Sequence, residues 1–360
     1  MIALLTKAFS FGTIARPLMR ILAITPSFYP SIGGVETHVR RVSERLAERG
    51  HRLTVLTHAD VPSEEQLGGL RVHRLPRTNL LSAWRAARPH IAAADIVHCH
   101  DAYSFLHFYL PSCWLPPRRA VFATFHGYER YPIPTEALKR RRFVRRRVKN
   151  AICMGDFICK WYGTTCFAVS YGGVDPVAEP PPLPEEPSAV FIGRLAEDTS
   201  LLLYLDALAA LRRDFGKRLR LTVIGEGPLR PIAEKYVEAQ GLWVRFVGAA
   251  ADPMPELSKA SFAFVSGYLA IWQALAYRRL VFSIYDNELK RDYLLGFPQA
   301  EQVMVTAGSA GELAAALNRH LAEPRAGEEM RERGAQLAAA NTWDRVADLY
   351  EAMYRAHGFG

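Results

Sequence analysis

Residues 19–42 read MRILAITPSFYPSIGGVETHVRRV, a stretch that combines a strand, a glycine loop and a helix. The run from Arg20 to Thr25 is short, mostly apolar and of strand length. Two prolines and the pair Gly33–Gly34 interrupt the chain before the helix that is predicted from Val35 onward. The apolar residues of this helix recur at helical spacing, at Val35, Val39, Val42 and Leu46. This order of elements is typical of the start of a parallel α/β sheet.

The loop between this strand and this helix is a candidate anion site. Glycines let a ligand approach the backbone closely, and the first N–H groups of a helix have no partner within it. Ligands of parallel sheets bind at the carboxyl ends of the strands, which favours a phosphate at Gly33 and Gly34. The alternative is that the two glycines only turn the chain. Glu36 lies in the first helical turn, where it is either an acceptor contact or an acid that the helix dipole alone favours.

The composition is that of a globular chain with surplus positive charge. Apolar residues make up 49% and charged residues 22% of the 360 residues, a length that suffices for two domains with separate cores. The formal net charge of +9 favours anionic partners such as sugar nucleotides, lipid phosphates and anionic membranes. Solubility alone is a second explanation of this charge. No apolar run approaches the roughly 18 residues of a membrane-spanning helix.

The five cysteines do not form the C-x-x-C pair of a zinc or redox site. We expect them to be mostly buried thiols in a cytosolic protein, with a disulfide among Cys153, Cys159 and Cys166 as the lesser alternative. The His-Cys-His run at 98–100 has no further ligands close to it in sequence, so no metal site is predicted there.

Residues 1–18 are predicted to be an extension outside the fold. They are weakly apolar and lack the layout of a signal peptide. Met19 immediately precedes the first strand, so Met1 and Met19 both stay open as the first residue of the protein. The expected location is the cytoplasm, with peripheral association at a membrane as a further expectation.

Strands alternate with helices along the whole chain, which predicts the α/β class with parallel, doubly wound sheets. In the first half, strands are predicted at 51–57, 70–75, 95–100, 120–125 and 165–170, and a helix at 80–93 despite Pro89. In the second half, strands are predicted at 188–192, 218–224, 243–247, 261–265 and 280–284, and helices at 201–215, 229–240, 270–277 and 310–322. A final helix is predicted to begin after Thr342, a good capping residue.

The segment 179–187, EPPPLPEEP, contains five prolines in nine residues. Such a segment cannot continue a helix or a central strand, so it predicts an extended linker. We therefore predict a Rossmann-like domain at 19–176, a linker at 177–187 and a second Rossmann-like domain at 188–341. The last helix, at 342–360, is expected to pack back on the first domain. A cleft between two domains is a usual site for a small molecule.

Residues 139–149 read KRRRFVRRRVK, with eight basic side chains among eleven. On a helix, Phe143 or Val144 shares a stripe with Val148. One interpretation is a basic amphipathic face that contacts anionic lipid headgroups or a polyprenyl-phosphate acceptor. The alternative is a solvated helix that only adds charge. Nucleic acid is not predicted as a partner, because the aromatic residues form no stacking platform and no nucleic-acid-binding module is visible.

Several short motifs are similar, in the same order, to those of the retaining glycosyltransferases of the GT-B fold, in carbohydrate-active family four. The motifs are GGVETHV at 33–39, DIVHCH at 95–100, FHG at 125–127, VSYGGVD at 169–175, FIGRL at 191–195, VIGEGP at 223–228, FVG at 246–248 and Trp343. The resemblance implies two Rossmann-like, doubly wound parallel-sheet domains that face a central cleft. The first domain would bind the acceptor and the second the nucleotide-sugar donor.

The resemblance also implies roles for the residues at the motif positions. His126 is expected to hydrogen-bond the donor sugar near the reacting carbon, and Arg194 to neutralise the leaving diphosphate. Residues expected to line the substrate site are Gly33, Gly34, Glu36, Gly193, Gly225, Glu226 and Gln273. The sugar configuration would be retained, with the barrier lowered by positioning and by leaving-group stabilisation. No metal and no cofactor are expected, because arginine and helix N-termini replace the metal.

The second half departs from the family pattern at two places. The family usually has a lysine shortly after Gly-Arg-Leu that contacts the diphosphate, whereas residues 193–200 contain no lysine and two acids. Gln273 stands where the family has the second glutamate of a pair, and the loop that carries the first glutamate is shortened. Gln273 can hydrogen-bond a ribose hydroxyl but carries no charge. Lys290 and Arg291 are candidates to supply the missing charge from another loop.

The leading hypothesis is therefore a glycosyltransferase that moves a sugar from a nucleotide-sugar donor to a lipid-linked or glycan acceptor. The alternative is a catalytically degenerate paralogue that keeps the fold and binds a glycan, a lipid or a partner protein, because the lysine and the glutamates are missing. A sugar-nucleotide epimerase is a third, less favoured hypothesis, since no matching acid/base set is visible.

Overall fold

The computed structural model describes residues 18–115 and 119–358. The predicted extension at 1–18 lies outside these ranges except for Leu18. The structure therefore does not test whether Met1 or Met19 is the first residue of the protein. The description below concerns the two ranges only.

The first half of the chain forms an eight-stranded sheet. Its strands are β1 (Arg20–Ile24), β2 (Arg52–His58), β3 (Ser63–Leu67), β4 (Leu70–Leu75), β5 (Ile96–His100), β6 (Ala120–Phe125), β7 (Asn150–Met154) and β8 (Ala168–Ser170). Its helices are α1 (Gly34–Glu48), α2 (Leu80–Ala93), α3 (Asp101–Ser104), α4 (Thr135–Arg145) and α5 (Asp156–Tyr162), and a π-helix (Phe105–Tyr109) continues from α3. The strand order is β3-β4-β2-β1-β5-β6-β7-β8, and all neighbouring pairs are parallel except β3 with β4.

The second half forms a six-stranded, all-parallel sheet. Its strands are β9 (Ser188–Ile192), β10 (Arg220–Ile224), β11 (Val244–Gly248), β12 (Phe262–Phe264), β13 (Leu280–Ile284) and β14 (Met304–Ala307), in the order β11-β10-β9-β12-β13-β14. Its helices are α6 (Leu201–Phe215), α7 (Arg230–Gln240), α8 (Met254–Leu257), α9 (Tyr268–Ala276), α10 (Glu288–Leu295), α11 (Ala300–Val303), α12 (Ala310–Ala322) and α13 (Glu328–Ala339).

The predicted alternation of strands and helices is confirmed. Helix α2 has the predicted bounds and includes Pro89, which lies on its exposed side, where water replaces the lost backbone hydrogen bond. Strand β3 was not predicted, because its sequence SEEQL is polar and largely exposed, as an edge strand can be. Elements α3, β7, α5, α8, α10, α11, β14 and α13 were also missed.

The last helix, α14 (Trp343–Gly358), packs against the first sheet and α1 rather than against the second sheet. The hydroxyl of Tyr350 is 2.8 Å from Nε2 of His38, and Arg49 is paired with Asp348 at 2.8 Å. Because the preceding helix α13 packs on α9, α14 joins the two halves of the chain a second time.

The basic segment at 139–149 is folded differently from the predicted amphipathic face. Helix α4 ends at Arg145, and Val144 and Val148 are buried in the core of the first domain. These apolar side chains are therefore not available to enter a bilayer, and that part of the interpretation is wrong. Six basic side chains of the segment remain exposed: Lys139, Arg140, Arg142, Arg146, Arg147 and Lys149. Among the helices in the two described ranges, none combines the length and the apolar character that crossing a membrane requires.

Candidate functional site

The carboxyl end of β1 carries the predicted glycine loop and the start of α1. A Cβ atom at Gly33 would lie 2.3 Å from Oε2 of Glu36, so the carboxylate of Glu36 folds back over Gly33. A Cβ atom at Gly34 would meet no atom within 4 Å, so the backbone there is open to a ligand. The structure thus brings Gly33, Gly34 and Glu36 together at a helix N-terminus, where a negative group is favourable.

His126 follows β6 and lies beside this loop. Its ring is 5.0 Å, centroid to centroid, from the ring of His38 in α1, and its Nε2 is 3.1 Å from Nδ1 of His100 at the end of β5. Strands β1, β5 and β6 are neighbours, which explains why residues that are distant in sequence meet here. Burial lowers the pKa of His126 well below its ordinary value, and the positive charges of His38, His98 and Arg141 would lower it further. The imidazole of His126 is therefore neutral at neutral pH.

The backbone around His126 is fixed from two sides. Its N–H donates to Oδ1 of Asp101 at 2.8 Å, and its carbonyl oxygen accepts from Arg141 at 3.0 Å. Arg141 is buried, donates also to the carbonyl of Gly127 at 2.9 Å, and lies 3.9 Å above the ring of Tyr162. Asp101 has a left-handed backbone with φ 66°, a strained conformation of the kind that occurs at functional sites. Burial raises the pKa of Asp101 to about 6, although Arg141 and the His126 N–H oppose the rise.

Two glycine-rich turns pack together at the carboxyl ends of β9 and β10. A Cβ atom at Gly225 would lie 1.8 Å from the carbonyl oxygen of Gly193, and one at Gly227 would lie 2.4 Å from that of Leu195. Both glycines have positive φ, 145° and 159°, so no other residue fits the close approach. The N–H of Leu195 donates to the carbonyl of Glu226 at 2.9 Å. The predicted residues Gly193, Gly225 and Glu226 are thus neighbours, and the carboxylate of Glu226 pairs with Arg230.

Arg194 extends from the first of these turns. Its side chain is 69% exposed and pairs with Asp198 at 2.7 Å. Its carbonyl accepts from the hydroxyl of Thr199 at 2.7 Å, and the carbonyl of Thr199 accepts from Ser266 at 3.2 Å. These bonds connect the loop after β9 to the loop after β12.

Lys290 supplies a second cation to the same place. It lies in the first turn of α10, is only 4% exposed, and donates through Nζ to the carbonyl of Ser266 at 2.8 Å. Burial lowers the pKa of Lys290 to about 8, while Asp198 and Asp286 raise it and Arg194 lowers it. Because Ser266 also donates to the carbonyl of Thr199, Lys290 is connected to the loop that carries Arg194.

The two halves of the site face each other across the junction of the sheets. The ring of Tyr128, two residues after His126, is 6.2 Å from the ring of Tyr293 in α10. Burial raises the pKa of Tyr128, and the charges of Asp198 and Asp286 add to the rise. Tyr128 and Tyr293 thus bring the loop after His126 close to α10 of the second domain.

Aromatic side chains fill the base of this junction. Tyr268, the first residue of α9, stacks on Tyr293 at 4.1 Å, and its N–H donates to the Tyr293 hydroxyl at 3.1 Å. Phe157 of the first domain lies 5.1 Å from the same ring, and Trp272 donates to the carbonyl of Tyr171 at 2.8 Å. Of the predicted site residues, Gln273 is half-buried in α9, more than one turn beyond Tyr268.

Several residues of the site were not singled out from the sequence. His38 and His100 lie inside quoted motifs, and the positions of His100 at the end of β5 and of His38 near the start of α1 were usable signals. Arg141 was counted with the basic segment, although it shares one helical face with Val144 and Val148. The tyrosines of the junction carry no local signal, because they meet only when the two domains pack.

The arrangement of two facing doubly wound domains defines the class: the chain has the GT-B fold. Residues 32–176 match the family model described as Glycosyltransferase Family 4, and residues 186–323 match the model described as Glycosyl transferases group 1. Two glycosyltransferase family domains thus make up most of the chain.

Solved structures with this fold include HepE from Anabaena in complex with UDP-glucose, with a TM-score of 0.73, 14% identity, and coverage of 94% of this chain and 99% of that one. A glycosyltransferase from Rickettsia africae has a TM-score of 0.70 at 15% identity, with 95% and 99% covered. At these identities the likeness concerns the fold alone.

Similar curated sequences match only in part. A phosphatidylinositol N-acetylglucosaminyltransferase subunit from Arabidopsis thaliana is 36% identical over 63 residues, which are 17% of this chain and 14% of that protein. Alpha-D-kanosaminyltransferase of Streptomyces kanamyceticus is 25% identical over 191 residues, 49% of this chain and 47% of that protein. The chain thus matches less than half the length of either relative.

Proposed function

We propose that the protein transfers a sugar from a nucleotide-sugar donor to an acceptor, with retention of configuration. The observation that carries this proposal is the link between two cations of the second domain, Arg194 and Lys290, through Thr199 and Ser266. Both lie at the carboxyl ends of the strands of the second sheet, where ligands of such sheets bind. The buried ammonium of Lys290 takes the role of the lysine that the family has earlier in the chain.

The chemistry follows from these charges. When the bond between sugar and diphosphate breaks, negative charge grows on the diphosphate, and fixed cations stabilise it. Arg194 offers a planar guanidinium for bidentate contact, for which it must exchange Asp198 for a phosphate. His126 is neutral and donates or accepts a hydrogen bond at the donor sugar without adding a charge. No side chain is proposed as a nucleophile.

The donor proposed is a uridine-diphosphate sugar, on the strength of the bound UDP-glucose in the HepE structure. The acceptor proposed is lipid-linked or a glycan, as the name of the phosphatidylinositol N-acetylglucosaminyltransferase relative suggests. The open backbone at Gly34 leaves room for the acceptor or the donor diphosphate at the end of β1.

Calorimetric titration of the purified chain with UDP, GDP and ADP tests the proposal. We expect binding of UDP that Arg194→Ala weakens by about 10-fold or more, as the loss of a charge-assisted contact would. Arg220→Ala is the matched control, because Arg220 is an exposed arginine of the same domain that pairs with one acid, Glu186. Failure to bind any of the three nucleotides, or equal effects of the two variants, contradicts the proposal.

A second candidate function is binding without catalysis. It is favoured by the hydroxyl of Tyr293, which accepts from the first N–H of α9, a donor that would otherwise be available to an anion. Residues 193–200 also lack a lysine. Incubation with UDP-sugars separates the two functions: release of UDP that falls with His126→Ala supports transfer, whereas a folded chain that turns over no UDP-sugar supports binding of a glycan, a lipid or a partner protein without catalysis.

The proposed location is the cytoplasmic side of a membrane, with peripheral contact through the exposed basic residues of 139–149. Each basic side chain near an anionic surface contributes about 1 kcal/mol, and salt screens the attraction. We expect sedimentation with phosphatidylserine vesicles that Arg140→Glu with Arg146→Glu abolishes. Lys235→Glu with Arg220→Glu makes the same charge change elsewhere on the surface and serves as control. If neutral vesicles sediment as much of the protein as phosphatidylserine vesicles do, the proposed contact through the basic residues is wrong.

A further inference from the structure

Three cysteine thiols meet in the first domain. Cys153 lies near the end of β7 and is buried, Cys159 lies in α5, and Cys166 lies in the loop before β8. Their Sγ atoms all lie within 4.8 Å of one another, and those of Cys159 and Cys166 are 3.5 Å apart. Cys99 and Cys113 are not members of this group.

The spacing of the three sulfur atoms is that of a metal site rather than of a formed disulfide. Sulfur ligands placed tetrahedrally at about 2.3 Å from a zinc ion lie about 3.8 Å from each other. A disulfide joins its sulfurs at about 2.05 Å, well below the 3.5 Å between Cys159 and Cys166. A disulfide would also leave the third thiol unpaired.

A divalent cation placed among the three sulfurs would stabilise all of them as thiolates.

We propose that Cys153, Cys159 and Cys166 bind one Zn²⁺ ion through their three sulfur atoms, with a water molecule at the fourth position. Binding would convert up to three thiols to thiolates and release their protons to solvent. The ligands are separated by five and six residues, so a search for C-x-x-C does not find them.

The ion would be structural and would fix α5 between β7 and the loop before β8. Helix α5 contacts the second domain directly, since Lys160 and Trp161 bind the carboxylate of Asp292 at 2.5 and 2.9 Å. A metal that fixes this helix would therefore also stabilise the junction of the two domains. The proposal does not depend on sugar transfer.

The test uses the full chain, reduced, stripped with a chelator and then titrated with Co²⁺ and Zn²⁺. We expect one Co²⁺ per chain, with the thiolate charge-transfer and ligand-field absorption of a tetrahedral sulfur site, displaced by one equivalent of Zn²⁺. Zn²⁺ should also raise the melting temperature in proportion to occupancy. Cys159→Ser and Cys166→Ser should each lose the absorption bands and the thermal shift, whereas Cys113→Ser, which changes a cysteine outside the group, should keep both.

Three results would overturn the proposal. The first is a reduced wild-type chain that takes up no stoichiometric Co²⁺ or Zn²⁺. The second is unchanged affinity in Cys166→Ser. The third is a disulfide between Cys159 and Cys166 in the isolated protein whose reduction yields no metal-binding site. If the serine variants do not fold, the proposal is judged on the wild-type chain only, by whether one Co²⁺ per chain gives the absorption bands of a tetrahedral sulfur site.

Discussion

Lys290 and Arg194 are linked through backbone carbonyls although they lie on different elements of the second domain. Lys290 donates to the carbonyl of Ser266 at 2.8 Å, and Ser266 in turn donates to the carbonyl of Thr199 at 3.2 Å. Thr199 donates to the carbonyl of Arg194 at 2.7 Å. A buried ammonium group has three N–H donors that need oxygen acceptors. The carbonyl of Ser266 accepts one of those of Lys290, so a phosphate could accept another.

The first prediction follows from this link. Lys290→Gln should weaken the binding of UDP by about 10- to 100-fold, because a hydrogen bond from a charged group contributes about 1.5–3 kcal/mol. Calorimetric titration measures the change. Arg291→Gln is the control, since Arg291 is the next residue of the same helix and lies 3.7 Å from Asp292. Equal affinities of wild type and Lys290→Gln would show that Lys290 is only structural.

The second prediction concerns the pH dependence of the same binding. The pKa of Lys290 is lowered to about 8, chiefly by burial. Below this pH the side chain carries a charge, and above it the neutral amine attracts a diphosphate less. UDP affinity should therefore fall as the pH rises through about 8, and the fall should level off at a higher pH, because the bound anion raises the pKa of Lys290 in the complex. In Lys290→Gln this fall should be absent, and an identical profile in the two proteins would contradict the assignment.

Local pattern predicted most of the elements because each has its own periodicity. The stretch 19–42 alone predicted strand, loop and helix, and the structure has β1 and α1 there. Gly193 and the run Gly225-Glu226-Gly227 likewise marked the turns after β9 and β10, and the structure shows why glycine is needed at Gly225 and Gly227. These are signals carried by neighbouring residues.

The parts that sequence reasoning missed depend on packing between distant segments. Lys290 was only a candidate, since its link to Arg194 runs through Ser266 and Thr199, which lie in two other loops. The prediction for the basic segment 139–149 was wrong about its apolar face, because the net charge of the segment was weighed before the question of which side chains point into the core. Arg141, Val144 and Val148 recur at i, i+3 and i+7, and that face is the buried one. Reading the helical face first would have assigned Arg141 to the interior.

The third prediction tests the contact between the two glycine turns. Gly225→Ala should destabilise the chain by more than about 3 kcal/mol, because its Cβ would lie 1.8 Å from the carbonyl oxygen of Gly193. Gly216→Ala is the comparison, since Gly216 also has positive φ, 65°, in the left-handed helical region, and a Cβ there meets no atom within 4 Å. It should cost about 1 kcal/mol. Urea denaturation measures both, and equal losses would mean that strain, not the clash, makes glycine necessary.

The last prediction concerns the attachment of α14. Glu351 is buried and accepts from Arg49 and His51, each at 3.3 Å, and from Arg355 at 2.5 Å. Burial alone would raise its pKa, but the hydrogen bond from His51 and the charges of Arg355 and Arg49 lower it to about 2. A carboxylate with a lowered pKa adds stability above its unfolded pKa of about 4.5, and this stability is lost as the pH falls toward 2.

Glu351→Gln should therefore lower the free energy of unfolding by about 3 kcal/mol at pH 7, and the difference from wild type should shrink between about pH 4.5 and about pH 3. Urea denaturation at these three pH values measures it. Asp348→Asn removes the exposed partner of Arg49 and should cost under about 0.5 kcal/mol, since exposed ion pairs add little. A loss in Glu351→Gln that stays constant down to pH 3 would mean that the side chain acts by packing and that its charge does not hold α14 against the first domain.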